Sequence, residues 1–538
     1  MSRRRRPRVL LLRPPAVFRN RPFPDGPRLE LPLGPLYLAA VLERHDIDVE
    51  VFDALAEPDL AATARPGATI HFGASSERMR ARIAAARPDV IGINNPFTDH
   101  LPFALDAARL AREAAPTARV VVGGPHATND PESILAAEPA VEVAFRGEGE
   151  TSFAELVGAL TRGDALDSIA GAVFWRDGAI VHGAPAARVA DVDSLPFPAY
   201  HQLDLERYFE LFARGFASKF AFGRPGSNRR VSLITSRGCP YRCTFCDAPR
   251  LAGHAFRAHS PDYVIEHVRF LRSRYDVRHL HINDDNVTVN RARFRAILEG
   301  FRRELPGLTW DTPNGVRADD LDEDLVALAK EAGCTYMILG VESGDPEVLE
   351  RIVDKRLDLE AVVAAARACR KVGLDVHAFY LLGMPGETRA TLQRTLDFAR
   401  FLLADFGVVP HVNVVEPHVG TRVHELATAA GYLTEPLASA ASRKSIAAHT
   451  HPFAHITTAE FRADELLDLR DRFMSEALGV LGRNAARLLA TRPLLALGTA
   501  RYFLERWWRS PLRPLASLRA TLMDRLLFPR LLTTPSSA

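Results

Sequence analysis

Three of the five cysteines in this 538-residue chain, Cys239, Cys243 and Cys246, fall within eight positions of the string RGCPYRCTFCDAPR. Thiolates at C-x3-C-x2-C in one loop can hold three corners of a cubane iron-sulfur cluster and leave its fourth iron open to a substrate or cofactor. A structural zinc site is the competing reading, but zinc wants a closed set of four ligands, usually supplied by two paired units. No second cysteine pair follows, and His254 offers the nearest fourth ligand. Cys334 (EAGCTY) and Cys369 (AARACRK) sit where a small buried hydrophobe is expected. Five cysteines in so long a chain do not build a disulfide framework, which points to reducing, cytoplasmic surroundings.

The elements that must position such a loop are legible in the hydrophobic pattern. From Arg8 to about Gly163, short β-rich runs (RVLLLRPP, VEVFDA, DVIGINN, ARVVVGGP, VEVAFRGEGE) alternate with amphipathic helical stretches. Continuous apolar strands separated by helices imply a parallel sheet covered on both faces, with ligands at the strand carboxyl ends. The residues there are Pro14 and Pro15, Asn94 and Asn95, Gly123, Gly124, Pro125 and His126, and Gly147 to Glu150; the same types also shape ordinary turns. GAVFWRDGAIVHG reads as a hairpin turning at Asp177 and Gly178, followed by a proline-marked linker, DVDSLPFPAYHQLD. From Arg230 six further strands alternate with helices, too few for a closed eight-stranded barrel, and the cysteine loop follows the first of them. The expected division is a basic tail (1–7), an α/β Rossmann-like domain (8–165), a hairpin and linker (166–228), a partial (βα)6 barrel (229–430) and a helical C-terminal region (431–538).

The composition, 47% hydrophobic and 25% charged, is that of a folded soluble protein, and a net charge of +2 gives no argument for a nucleic-acid partner. The apolar run after the basic start ends at Arg13, too short for a signal peptide, and no stretch approaches the roughly 20 apolar residues of a membrane span. Between Arg483 and Arg530, ten arginines face only Glu505 and Asp524 among Leu, Phe503, Trp507, Trp508 and Phe528. Such a segment either packs its apolar face on the body or lies peripherally on an anionic membrane.

CPYRCTFC, with Phe245 just before its last cysteine, resembles the signature of the radical S-adenosylmethionine (SAM) enzymes. The resemblance implies a four-iron, four-sulfur ([4Fe-4S]) cluster on the three cysteines, SAM chelating the open iron, and reductive cleavage of SAM to a 5′-deoxyadenosyl radical. HINDDN (Asp284, Asp285, Asn286) resembles the second-strand element that meets the methionine amino group. GVESG resembles the fourth-strand element, with Glu342 and Ser343 placed for the ribose, and LLGMPGET (Gly383, Pro385) the turn near the adenine. Carboxylates suit an ammonium and vicinal hydroxyls, and glycine lets backbone approach a flat base, although each string alone also serves as a cap or turn.

The first domain is similar to the cobalamin-binding half of the class B radical SAM methyltransferases, through LPLGPLYLAAVLE, VVGGPHAT, RGEGE and DSLPFPAY. Asn94, Asn95, Gly123, Gly124, Pro125, His126, Gly147 and Glu148 are then the cobalamin candidates. The resemblance implies methyl transfer from cobalamin to an unactivated carbon of a specialised-metabolite or lipid-like substrate, with an electron donor such as flavodoxin or ferredoxin as partner. The chain departs from the pattern in two places. It has no D-x-H-x-x-G string to supply a histidine below cobalt, and EPHVGT carries Val419 where the family often has proline. The alternatives are radical oxidation, cyclisation or rearrangement without methyl transfer and, from another class, a metal-stabilised binding or regulatory protein.

Overall fold

A computed structural model describes residues 5–19, 29–57, 63–65, 69–96, 98–213, 226–434 and 455–491. In the first domain β1 (Arg8–Arg13), β2 (Asp48–Asp53), β3 (Val90–Asn94), β4 (Arg119–Gly123) and β5 (Val143–Phe145) form a parallel sheet in the order β2-β1-β3-β4-β5. Along β1, Val9 and Leu11 enter one core and Leu10 and Leu12 the other, as a sheet covered on both faces requires. The strand order reverses between β1 and β3, which opens a crevice at their carboxyl ends.

The expected hairpin forms as β6 (Ala172–Arg176) and β7 (Ala179–His182), turning through Asp177 (φ 51°) and Gly178 (φ 80°). Two successive positive φ values match the right-handed twist of the strands. β6 pairs antiparallel with β5, so the first sheet runs on to His182 and the hairpin belongs to it.

The second sheet is parallel and in chain order: β8 (Arg230–Leu233), β9 (His279–Ile282), β10 (Thr309–Val316), β11 (Cys334–Glu342), β12 (Asp375–Leu382) and β13 (Val409–Val414). Its first and last strands do not pair with each other, so the barrel is partial. Alternate residues, among them Val231, Leu233, Leu280, Ile282, Val376 and Ala378, join the helix-packed core. Their neighbours Arg230, His279, His281, Asp311, His377 and His411 turn inward and are buried. Capping fixes where the covering helices begin. Asn290 accepts from the backbone of Arg293 to start helix Arg291–Glu304, and Thr388 and Thr391 form a reciprocal box ahead of helix Arg389–Phe406.

Helix Ala463–Thr491 packs on β13 and on helix Arg389–Phe406. The arginine-rich segment beyond Thr491 lies outside the described residues. No described helix is long and apolar enough to cross a membrane.

Candidate active site

The cysteine loop leaves β8 through Gly238, whose φ of +85° and tight surroundings admit only glycine. A Cβ there would stand 2.4 Å from the carbonyl oxygen of Ala255. Cys239 N–H donates to Gly253 O (3.1 Å), and Thr244 ties the loop to a distant turn through Val353 O (2.9 Å) and Ile352 O (2.8 Å). All three cysteines are free and half-buried. Burial pushes the Cys239 thiol up to about 11 and that of Cys246 up to about 12. It raises Cys243 as well, against the opposing charges of Lys355 and Arg317. The three sulfurs do not all lie within 4.8 Å of one another, and His254 is exposed. No fourth ligand closes a zinc site around them among the described residues.

Around this loop stand the carboxyl ends of the other barrel strands. Asp284 is fully buried and its oxygens accept from Thr235 N and Oγ1, both at 2.6 Å, and from Ser236 Oγ. With those donors in place it anchors the approach to the cysteines and has no face left for a cofactor. Asp285, by contrast, keeps an open face although protein crowds it; burial and the neighbouring carboxylates push it up to about 6. Asn286 caps the turn at Val287–Val289 through Thr288. Glu342 ends β11 with φ +67° and pairs with Lys355 Nζ at 2.9 Å, both side chains being buried. Glu342 is thus a non-glycine residue held in the left-handed region, a conformation that costs energy. The Ser343 hydroxyl is occupied by Thr395 Oγ1 (2.9 Å) and Asp345 N (3.1 Å). The Gly383 turn is held from within: the N–H groups of Gly383 and Met384 both donate to Glu387 Oε2 at 2.8 Å, and Pro385 lies half-buried between two positive-φ glycines. Phe245 packs on the core beneath the loop.

On the first domain, Asn94 and Gly123 lie side by side at the ends of β3 and β4. Asn95 is completely buried, and neither atom of its amide has a hydrogen-bond partner. Gly124 (φ +115°) packs so tightly that a Cβ would come within 2.6 Å of Asn95 O. His126, on the short helix begun by Pro125, meets Thr98 Oγ1 at 3.1 Å. The orphaned amide beside a glycine cradle fits a ligand seated over these strand ends.

Gly147 and Glu148 do something else. Gly147 (φ +79°) leaves 2.8 Å between a virtual Cβ and Ala186. The Glu148 carboxylate accepts from Arg257 Nη1 (2.9 Å) and Nη2 and from Val189 N (2.8 Å), and it pairs with Arg237 (3.3 Å). Glu150 takes Arg237 Nη2 at 2.7 Å. Both arginines belong to the cysteine side, so these carboxylates clamp the strand ends of one domain against those of the other. Asn129 adds a second seam, donating to Asp247 (2.8 Å) and accepting from Arg250 (3.0 Å).

A further group of ligand-type residues lies deeper in the barrel, where His279, His281 and Asp311 converge. Gly226 N–H and Thr309 Oγ1 sit 3.2 and 2.8 Å from His279 Nδ1. Since a backbone N–H can only donate, Nδ1 accepts and Nε2 carries the proton that it gives to Asp311 (2.9 Å). His281 Nδ1 donates to the other oxygen at 2.7 Å. Burial pushes Asp311 up, but the two imidazoles outweigh it and hold the carboxyl well below its usual range. The group is a hydrogen-bonded floor.

Residues 233–399 match the radical SAM superfamily and residues 29–157 the B12 binding domain. The chain is 32% identical to cytidylyl-2-hydroxyethylphosphonate methyltransferase of Streptomyces wedmorensis, over 74% of this chain and 77% of the relative. The chain belongs to the cobalamin-binding radical SAM enzymes. An uncharacterized methyltransferase of Pyrococcus horikoshii is similar at 31% identity, over 78% of this chain and 83% of its own. The fold is shared with the radical SAM methyltransferase TsrM of Kitasatospora setae, solved with cobalamin and a [4Fe-4S] cluster (TM-score 0.61, 20% identity, covering 80% of this chain and 76% of that one).

Within this radical SAM enzyme, Asp284, Asn286, Ser343 and Glu148 hold the architecture where the sequence suggested cofactor contact. Lys355 and Arg317, by contrast, carry no motif. Arg317 stacks over Tyr241 of the cysteine loop at 4.0 Å and donates to Lys355 O (2.9 Å). The return of the 352–355 turn onto Thr244 brings Lys355 towards Cys243, and Arg317 reaches the loop from the end of β10.

Proposed function

We propose that this enzyme methylates an unactivated carbon of a small molecule. Cys239, Cys243 and Cys246 hold a [4Fe-4S] cluster, Asp285, Glu342 and the Gly383–Pro385 turn receive SAM, and the ends of β3 and β4 around Asn95 and Gly124 seat cobalamin without a histidine below the metal. When bound, these groups supply a 5′-deoxyadenosyl radical and a transferable methyl group. The protein's part is to bring the two faces together and keep water out. The observation that carries the reading is the clamp of Glu148 and Glu150 on Arg237 and Arg257, because it sets the strand ends of the B12 domain against the cysteine loop. One relative named as a methyltransferase at 32% identity supports the same outcome. The cluster would draw electrons from a small donor such as flavodoxin or ferredoxin.

Anaerobic reconstitution with iron, sulfide and hydroxocobalamin, followed by desalting and an absorption spectrum, tests the pairing. Corrin and cluster should both be retained, and each of Cys239→Ala, Cys243→Ala and Cys246→Ala should lose the cluster. A corrin that washes out while the cluster stays would overturn methylation in favour of radical oxidation, cyclisation or rearrangement.

A further inference from the structure

Above the histidine-aspartate floor the inward faces of the barrel strands become accessible. Phe379 on β12 is half-buried and Asn413 on β13 is exposed, although both share the inward parity of their buried neighbours, and Asn314 is exposed on the irregular stretch of β10. Space therefore begins at this level, on the side of the B12 domain. One wall of it has a single chemical character. Asn283, next after β9, gives its Nδ2 to Glu30 Oε2 of the first domain at 3.2 Å. A carboxylate can only accept, so the contact fixes the amide with Oδ1 turned away, and that oxygen is buried without a partner. Asn314 gives its Nδ2 to the carbonyl oxygens of Asn283 (2.7 Å) and Asp284 (3.3 Å), which likewise leaves Oδ1 as its outward atom. Glu30 is itself held in place, its backbone oxygen accepting from Arg13 Nη1 at 2.6 Å.

The wall thus spends its amide donors on protein and presents two amide oxygens. Asp285 stands two residues beyond Asn283. We propose that Asn283 and Asn314 recognise the substrate, and that the substrate carries hydroxyl or ammonium groups beside the carbon that reacts. A hydrocarbon at this wall would leave the Asn283 oxygen without a donor, so a polyol or an amine is selected over a lipid chain. This rests on reading the interdomain space as the reaction chamber.

The test uses the full chain in isothermal titration calorimetry, with and without anaerobically loaded cluster and hydroxocobalamin. The probes are myo-inositol for hydroxyls, 2-deoxystreptamine for ammonium groups and lauric acid as the apolar control. At least one of the first two should bind at millimolar concentration or better, and Asn314→Leu, at an exposed position, should weaken it about ten-fold. Binding of neither polar probe, unchanged affinity in Asn314→Leu, or a preference for laurate would each overturn the proposal. Failure to retain corrin or cluster in the loaded arm would count against the functional reading, while the cofactor-free titration still decides the wall.

Discussion

Glu342 and Lys355 form a buried pair 2.9 Å apart, near the Cys243 thiol. Removing one member of such a pair leaves an uncompensated charge out of water, which typically costs about 3–5 kcal/mol, whereas removing both costs far less. Lys355→Met should accordingly lower the urea midpoint strongly, and Glu342→Gln combined with Lys355→Met should recover most of it. A double variant as unstable as the single one would mean that the lysine acts by packing. The cysteine loop was legible because its three thiols lie within eight positions of one another. Glu342 was legible through the GVESG string, but its partner was not, since nothing in DKR at 354–356 announces a contact thirteen positions back. Asp284 shows the opposite failure. A carboxylate beside a carboxylate suggests two cofactor ligands, yet three donors from Thr235 and Ser236 turn the first into an anchor and leave Asp285 as the open one.

At the scale of elements, the turn after β12 depends on one carboxyl. Glu387 accepts the N–H groups of Gly383 and Met384, and burial pushes it from its ordinary 4.5 up to about 7. The native state therefore binds this proton more tightly than the unfolded chain does. Stability from this group is complete below about pH 4.5 and falls as pH rises to about 7, by about 3 kcal/mol over the window. Glu387→Gln should flatten that part of the pH profile of unfolding, so the difference between wild type and variant should change between pH 5 and pH 8. An unchanged difference would mean that the carboxyl titrates normally. The strands and helices themselves were largely legible, because apolar runs such as VLLL and VVV between amphipathic helices leave few other solutions. The hairpin was legible from its Asp-Gly turn. Its attachment to the first sheet was not, because pairing partners are set by long-range packing that local pattern does not record.

The whole molecule turns on how its two sheets are held face to face, and here the sequence was nearly silent. Glu148, Glu150, Arg237 and Arg257 are separated by about a hundred positions and meet with their side chains mostly buried. The linker works as a fixed strap alongside them: Phe197 stacks on His267 at 4.4 Å, Tyr200 Oη meets His267 Nε2 at 3.2 Å, and Asp193 accepts from Ser260 N. Burial pushes the Glu148 carboxyl up, but Arg257 and Arg237 prevail and hold it below its ordinary value. The clamp's contribution is present above the unfolded carboxylate pKa of about 4.3 and is lost as pH falls through the lower folded value. Glu148→Ala should mimic acid at neutral pH, leaving two guanidinium groups buried and short of a partner while each domain keeps its own core. The expected result is a larger radius of gyration in small-angle X-ray scattering and new proteolytic cleavage near residues 183–199, with native far-UV circular dichroism. On the proposed function, the corrin spectrum should survive and SAM cleavage should become uncoupled from methyl transfer, because each proposed cofactor face lies within one domain and only their juxtaposition is lost. If Glu148→Ala instead unfolds in one cooperative step with no expanded native state, the two domains form a single folding unit and the clamp is part of a common core.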